Sequence, residues 1–148
     1  MSLIQSDVAS GRKAVPQPFD ATVITVPVEV TLPATAVAVG DIIEVCKIPA
    51  GVTLVGYRLT SPQIDSNATP TLAVSAGALT SDKTDLTTAY ETGLTPGRTA
   101  SGNVIRNANA AAYAASKTAE RNFGLKVTTA AATYAASVTF LVELDLKS

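Results

Sequence analysis

Asp82 and Asp85 lie three residues apart in one polar stretch, and Asp65 lies in another. They are the chain's nearest approach to acid–base chemistry. A paired-carboxylate hydrolase needs two acids held about 5–9.5 Å apart across a cleft, and nothing in the spacing brings these together. Asp bonds its own backbone in turns, so all three read as solvated turn formers. The run Ile64-Asp65-Ser66-Asn67 has the start of a calcium loop, but position twelve, where such a loop needs Glu, is Ala76. There is no His, which removes the Ser-His-Asp triad, the Cys-His pair and every His-ligated metal site. The one Cys, Cys46, stands between Val45 and Lys47 in an apolar run. With no base to activate it, it reads as a small core hydrophobe, and a single Cys makes no internal disulfide or cysteine-cage zinc site. The glycines never form a dinucleotide or phosphate-binding loop. The expectation is a protein with no catalytic residue, no cofactor and no metal.

Charge points the same way. Eleven Lys and Arg against twelve Asp and Glu leave a net charge of -1, and the basic residues are scattered without interleaved aromatics. Neither a phosphate-seeking field nor a base-stacking platform results, so no nucleic-acid partner is expected. No apolar run reaches the ~18 residues of a membrane helix, so no membrane partner is expected either. Residues 1–20 show no hydrophobic signal region, and synthesis in a cytoplasm that keeps Cys46 reduced is expected. At 148 residues the chain makes one domain able to bury about two-thirds of its unfolded surface. Charged residues are only 16%, against roughly 25% in an average domain, so Thr, Ser, Asn and Ala must cover the surface. That suits a β-rich chain whose surface is partly covered by neighbours.

The elements follow from period and punctuation. Ile24, Val26, Val28, Val30 and Leu32 alternate with polar residues, the mark of a half-buried strand. Pro27 cannot donate to a ladder, so this strand is an edge or breaks there. Residues 41–48 are apolar enough to be buried on both faces. The turn Pro49-Ala50-Gly51 and the strand 52–60 suggest a hairpin with it. Residues 61–70 form a loop and 71–76 a short strand. Residues 77–98 are polar, with room for one helical turn near 86–90 and a turn at Thr95-Pro96-Gly97. In the Ala-rich stretch 107–121, Tyr113 is the only large apolar residue, and a helix with so little to bury is marginal. A strand near 110–114 is favoured there over a helix. Phe123, Leu125 and Val127 alternate, as do Val138, Phe140, Val142, Leu144 and Leu146, suggesting a closing hairpin with one shared inner face. Six to eight such strands predict an all-β antiparallel sandwich, jelly-roll-like or Greek-key, over residues 21–148.

Residues 1–20 sustain no period. Pro16 and Pro18 favour extended backbone before them. The segment reads either as a loose tail or as an extended arm laid on a neighbour. In the second case Leu3, Ile4, Val8 and Phe19 fill shallow pockets, Arg12 and Lys13 pair with acids, and Pro16 and Pro18 limit the entropy lost on docking. Composition alone stops at a mostly-β structural or binding module that associates with copies of itself.

Three stretches carry a resemblance: SDVASGRKAVPQPFD at 6–20, VGDIIEVCKIPAGVTLVGYRLTSPQIDSNATPTLAVSAG at 39–77, and LKVTTAAATYAASVTFLVEL at 125–144. Together they cover about half the chain and resemble the small virion proteins encoded beside the major capsid protein in tailed bacteriophages. The resemblance implies a head decoration, or cement, protein on the capsid surface of the virion, with the major capsid protein as partner. It also implies a homo-oligomer, trimer before dimer by analogy with three-fold capsid sites. It carries over no catalytic or metal-binding residue, and the segment 107–119 departs from it. A head-fibre base or tail subunit, or an unrelated β-sandwich ligand-binding module, is the alternative.

Overall fold

The computed structural model describes residues 1–14, 23–108, 110–114 and 117–147. In chain order they form β1 (Leu3–Gln5), β2 (Val23–Thr31), β3 (Ile42–Ile48), β4 (Thr53–Ser61), β5 (Ala73–Leu79), β6 (Leu86–Leu94), β7 (Asn103–Ala108), α1 (Ala110–Ala114), β8 (Arg121–Thr129) and β9 (Thr139–Lys147). Two sheets result, ordered β1-β3-β8-β5-β6 and β2-β9-β4-β7. The antiparallel pairs β2 with β9, β3 with β8, β4 with β7 and β5 with β6 are nested, as in one long hairpin rolled up on itself. This is the jelly roll, the sandwich that the period-2 runs predict. The exception is β1, which adds in parallel to the outer side of β3.

Alternation sets which residues enter the core. Val26, Val28 and Val30 of β2 face Leu144, Val142 and Phe140 of β9 in register, and all six are buried. Ile24 and Val138 pack against that core from its margin. Pro27 falls on the edge strand of its sheet, where a missing N–H costs no ladder bond. β3 is buried on both faces, as its composition requires. Between the sheets Phe123 of β8 lies 5.1 Å from the Tyr57 ring of β4 and 6.5 Å from that of Tyr90 in β6. That aromatic group joins the two sheets.

Both expected hairpins are overturned. The Pro49-Ala50-Gly51 turn forms, but β3 and β4 go to opposite sheets. β8 and β9 likewise part to opposite sheets, and their inner faces meet across the core instead of side by side. The helical turn expected near 86–90 is the strand β6. Leu86, Tyr90 and Leu94 recur every fourth residue, a spacing that keeps one face in a strand as well as in a helix. Pairing with β5 decides for the strand. The strand expected near 110–114 is the helix α1, where Ala propensity wins. Ala112 is its buried contact, and Tyr113 stays exposed beneath the Lys117 ammonium, 5.6 Å from the ring centre.

Candidate functional site

The carboxylates do not converge. Asp65 is fully buried, so its reading as a solvated turn former is corrected. Its Oδ2 accepts from the backbone N–H of Thr71 at 2.8 Å, Leu72 at 3.1 Å and Ala132 at 2.9 Å. Its Oδ1 accepts from Thr133 at 3.0 Å and Asn67 at 3.3 Å. Burial alone would raise its pKa, but the four N–H groups of Thr133, Ala132, Thr71 and Leu72 outweigh it and hold the carboxyl well below the usual range. A carboxylate with its lone pairs filled by backbone donors has nothing left for a substrate. Asp65 is a knot tying the 61–72 loop to the 130–135 loop.

Asp82 and Asp85 are engaged within the exposed β5–β6 loop. Thr80 and Thr84 hydroxyls bond Asp82 and lower its pKa. The Lys126 ammonium, 2.7 Å from Asp85, does the same there. That loop reaches over β8, and Lys83 ends 3.1 Å from Glu44 Oε2 on β3. Glu44 is fully buried, and Oε2 also accepts from Gln5 Nε2 at 2.5 Å. Oε1 meets no hydrogen-bond partner among the described residues. Sequence reasoning missed Glu44, since one acid in an apolar strand gives no spacing signal. Cys46 is buried as expected. Burial first, then the nearby Glu44 charge, pushes its thiol up to about 12, which leaves no thiolate for chemistry.

Among the described residues no three His, Cys, Asp or Glu side chains group as metal ligands. No helix is long and apolar enough to cross a membrane. A recess of about 580 Å³ is an open groove where Ala111, Ala114 and Ala119 face Thr87, Thr88 and Tyr90. Thr80, Ser81, Glu120, Arg121 and Asn122 also line it.

Of the residues singled out in the N-terminal segment, the structure places Leu3 and Ile4 beside β3 of the same chain. Leu3 and Ile4 belong to β1, Leu3 exposed and Ile4 packed against the core. Val8 is buried in that core. Arg12 is exposed, 3.5 Å from Asp7. Lys13 borders a recess of about 260 Å³ with Asp7, Val8, Pro27, Glu29 and Leu141. Pro16, Pro18 and Phe19 lie outside the described residues, as does the expected boundary between residues 20 and 21. The strand itself was not legible: three residues are too short to show a period.

No protein-family model matches the chain, and no curated protein matches it. Solved structures do. A chain in the capsid of Ralstonia phage GP4 is 29% identical, with a TM-score of 0.86 over 99% of this chain and 97% of that one. A chain in the cyanophage Pam1 capsid asymmetric unit is 21% identical, with a TM-score of 0.63 over 91% of each, and shares the fold. Both belong to capsids, whose chains are structural and non-enzymatic. The likeness supports a structural role in a virion.

Proposed function

We propose that the protein decorates the head of a tailed bacteriophage, binding the outer surface of a preassembled shell and stabilising it. The single observation behind this is the end-to-end likeness to a chain from the Ralstonia phage GP4 capsid. The three loop aspartates that could have suggested acid–base chemistry, Asp65, Asp82 and Asp85, are instead engaged by backbone N–H groups, threonine hydroxyls and the Lys126 ammonium. The chain is a β-sandwich of charge-poor composition, suited to burial against other subunits. A DNA-filled head is under outward pressure, and a rigid module bridging a capsomer joint adds contact area where the shell is weakest. A standard interface buries about 1,600 Å² in total, within reach of a domain this size. The partners are the major capsid protein and further copies of this chain, as a trimer before a dimer. The N-terminal segment contributes to attachment, with Leu3, Arg12 and Lys13 at its surface and Pro16, Pro18 and Phe19 following. Its place of work is the virion, after synthesis in the bacterial cytoplasm.

Co-sedimentation with undecorated heads tests this reading. The full chain is expected to pellet at a saturating, fixed ratio to shell subunits, and a chain with the exposed Arg12→Glu and Lys13→Glu changes to pellet far less. Full-strength binding by the changed chain would remove the arm's charges from the account. Absence of binding by the full chain would remove decoration.

A further inference from the structure

We propose that the outer side of β3 is a receiving site for the N-terminal strand of a second copy of this chain, so that neighbouring subunits exchange residues 1–13. The proposal rests on the self-association argued above but not on attachment to the shell. It starts from an odd strand. Among the described residues β1 is the one parallel addition to an otherwise antiparallel sandwich, and its successor β2 belongs to the other sheet.

The contacts that hold the segment are almost all with the β3 edge and the turn before it. Ser2 N–H donates to Asp41 Oδ1 at 2.7 Å, and Ile42 N–H donates to the Ser2 carbonyl at 3.0 Å. Ser6 N–H donates to the Glu44 carbonyl at 3.0 Å, and the Ser6 hydroxyl donates to the Val45 carbonyl. Gln5 covers Glu44, and Val8 closes the core below. An empty edge would strip Gln5 from a fully buried carboxylate that already has one oxygen unmet. It would also expose the backbone donors and acceptors of β3. The edge therefore has to be filled, by a segment of this sequence.

None of these contacts depends on which copy supplies the segment. Exchange between copies keeps every bond, which makes it a low-cost route to an oligomer. The nine residues 14–22 between Lys13 and Val23 span up to about 30 Å if fully extended, a length that sets how far apart two exchanging copies can stand. Pro16 and Pro18 in that stretch of the sequence fix their own φ and disfavour helical backbone at the residues before them. The other edge strand on that side of the sandwich, β2, carries Pro27 and offers no equivalent ladder.

Cysteine trapping decides between the two arrangements. In a Cys46→Ala chain, Gln5→Cys and Glu44→Cys put thiols at paired positions of β1 and β3. A second pair, Leu3→Cys with Ile42→Cys, uses the next register position on the same face and guards against misfolding of the first. Each protein is sized by light scattering, oxidised and run on a non-reducing denaturing gel. Exchange predicts covalent species at twice the 15.1 kDa chain mass or more. It also predicts crosslinking in a co-refolded mixture of Gln5→Cys-only and Glu44→Cys-only chains, where no single chain can form the bond. An oligomer that runs at single-chain mass, with an uncrosslinked mixture, overturns exchange and leaves self-association standing. A monomer by light scattering overturns both.

Discussion

Asp65→Asn keeps the side chain's size but turns one acceptor oxygen into an NH₂ facing backbone donors. Hydrogen bonds to a charged group contribute roughly 1.5–3 kcal/mol, so a loss of about 3 kcal/mol at neutral pH is expected. The sign with pH follows from the direction of the shift. Folding holds the Asp65 pKa below its ordinary 3.8, so its stabilisation is complete above that value and drains away as pH falls toward the folded one. Urea unfolding at pH 7 and pH 3 is therefore expected to show the gap between the natural chain and Asp65→Asn narrowing in acid. A gap that widens in acid would contradict the knot. Lys83→Ala is the second residue-scale case. It leaves Glu44 buried with Gln5 alone and is expected to cost about 3 kcal/mol, the cost typical of stripping one partner from a buried pair. In a Glu44→Gln background most of that cost should vanish, and an unchanged cost would mean that Lys83 acts through the loop backbone. Neither residue was legible in the sequence. Asp65 looked like any loop acid, and its donors lie partly near residue 132, far along the chain. Glu44 looked like one polar interruption in an apolar strand.

At the scale of elements, Gly77 and Gly124 lie side by side on β5 and β8. A Cβ on Gly77 would stand 2.1 Å from the Thr88 carbonyl oxygen of β6, a backbone atom that cannot move aside. Gly77→Ala is expected to cost about 2 kcal/mol or more. Hydrogen exchange should show the amides of β6 losing protection while those of β2 and β9 keep theirs. Equal loss in both sheets would mean global destabilisation instead. The strands themselves were largely readable. Where one face is buried and the other wet, as in β2 and β9, alternation shows directly in residue types, and Pro27 even marked the edge. Pairing was not readable. Alternation says which side chains share a face but not which strands are neighbours, and a jelly roll sends most consecutive strands to opposite sheets. A short turn such as Pro49-Ala50-Gly51 serves an arch between sheets as well as a hairpin within one. β6 and α1 failed for local reasons: a four-residue spacing common to both periods, and an Ala run whose intrinsic propensity needed one buried contact, Ala112, to hold.

The whole molecule is a small sandwich in which Asp65, Asp85 and Glu44 tie loops and an edge strand together, and its likeness lies with phage capsid chains. The class of fold and the non-catalytic character were legible from composition and period. The mode of assembly was not, because an interface is written in surfaces that a single chain leaves open. Stabilisation by decoration depends on many copies each touching more than one shell subunit, so that weak contacts act together. The most direct measurement compares DNA-filled heads with and without the protein, following DNA release on heating and on dilution to low ionic strength. Undecorated heads should assemble normally but release their DNA at lower temperature, and purified protein added back should restore resistance. Heads equally resistant with and without the protein, or heads unable to assemble in its absence, would contradict the account.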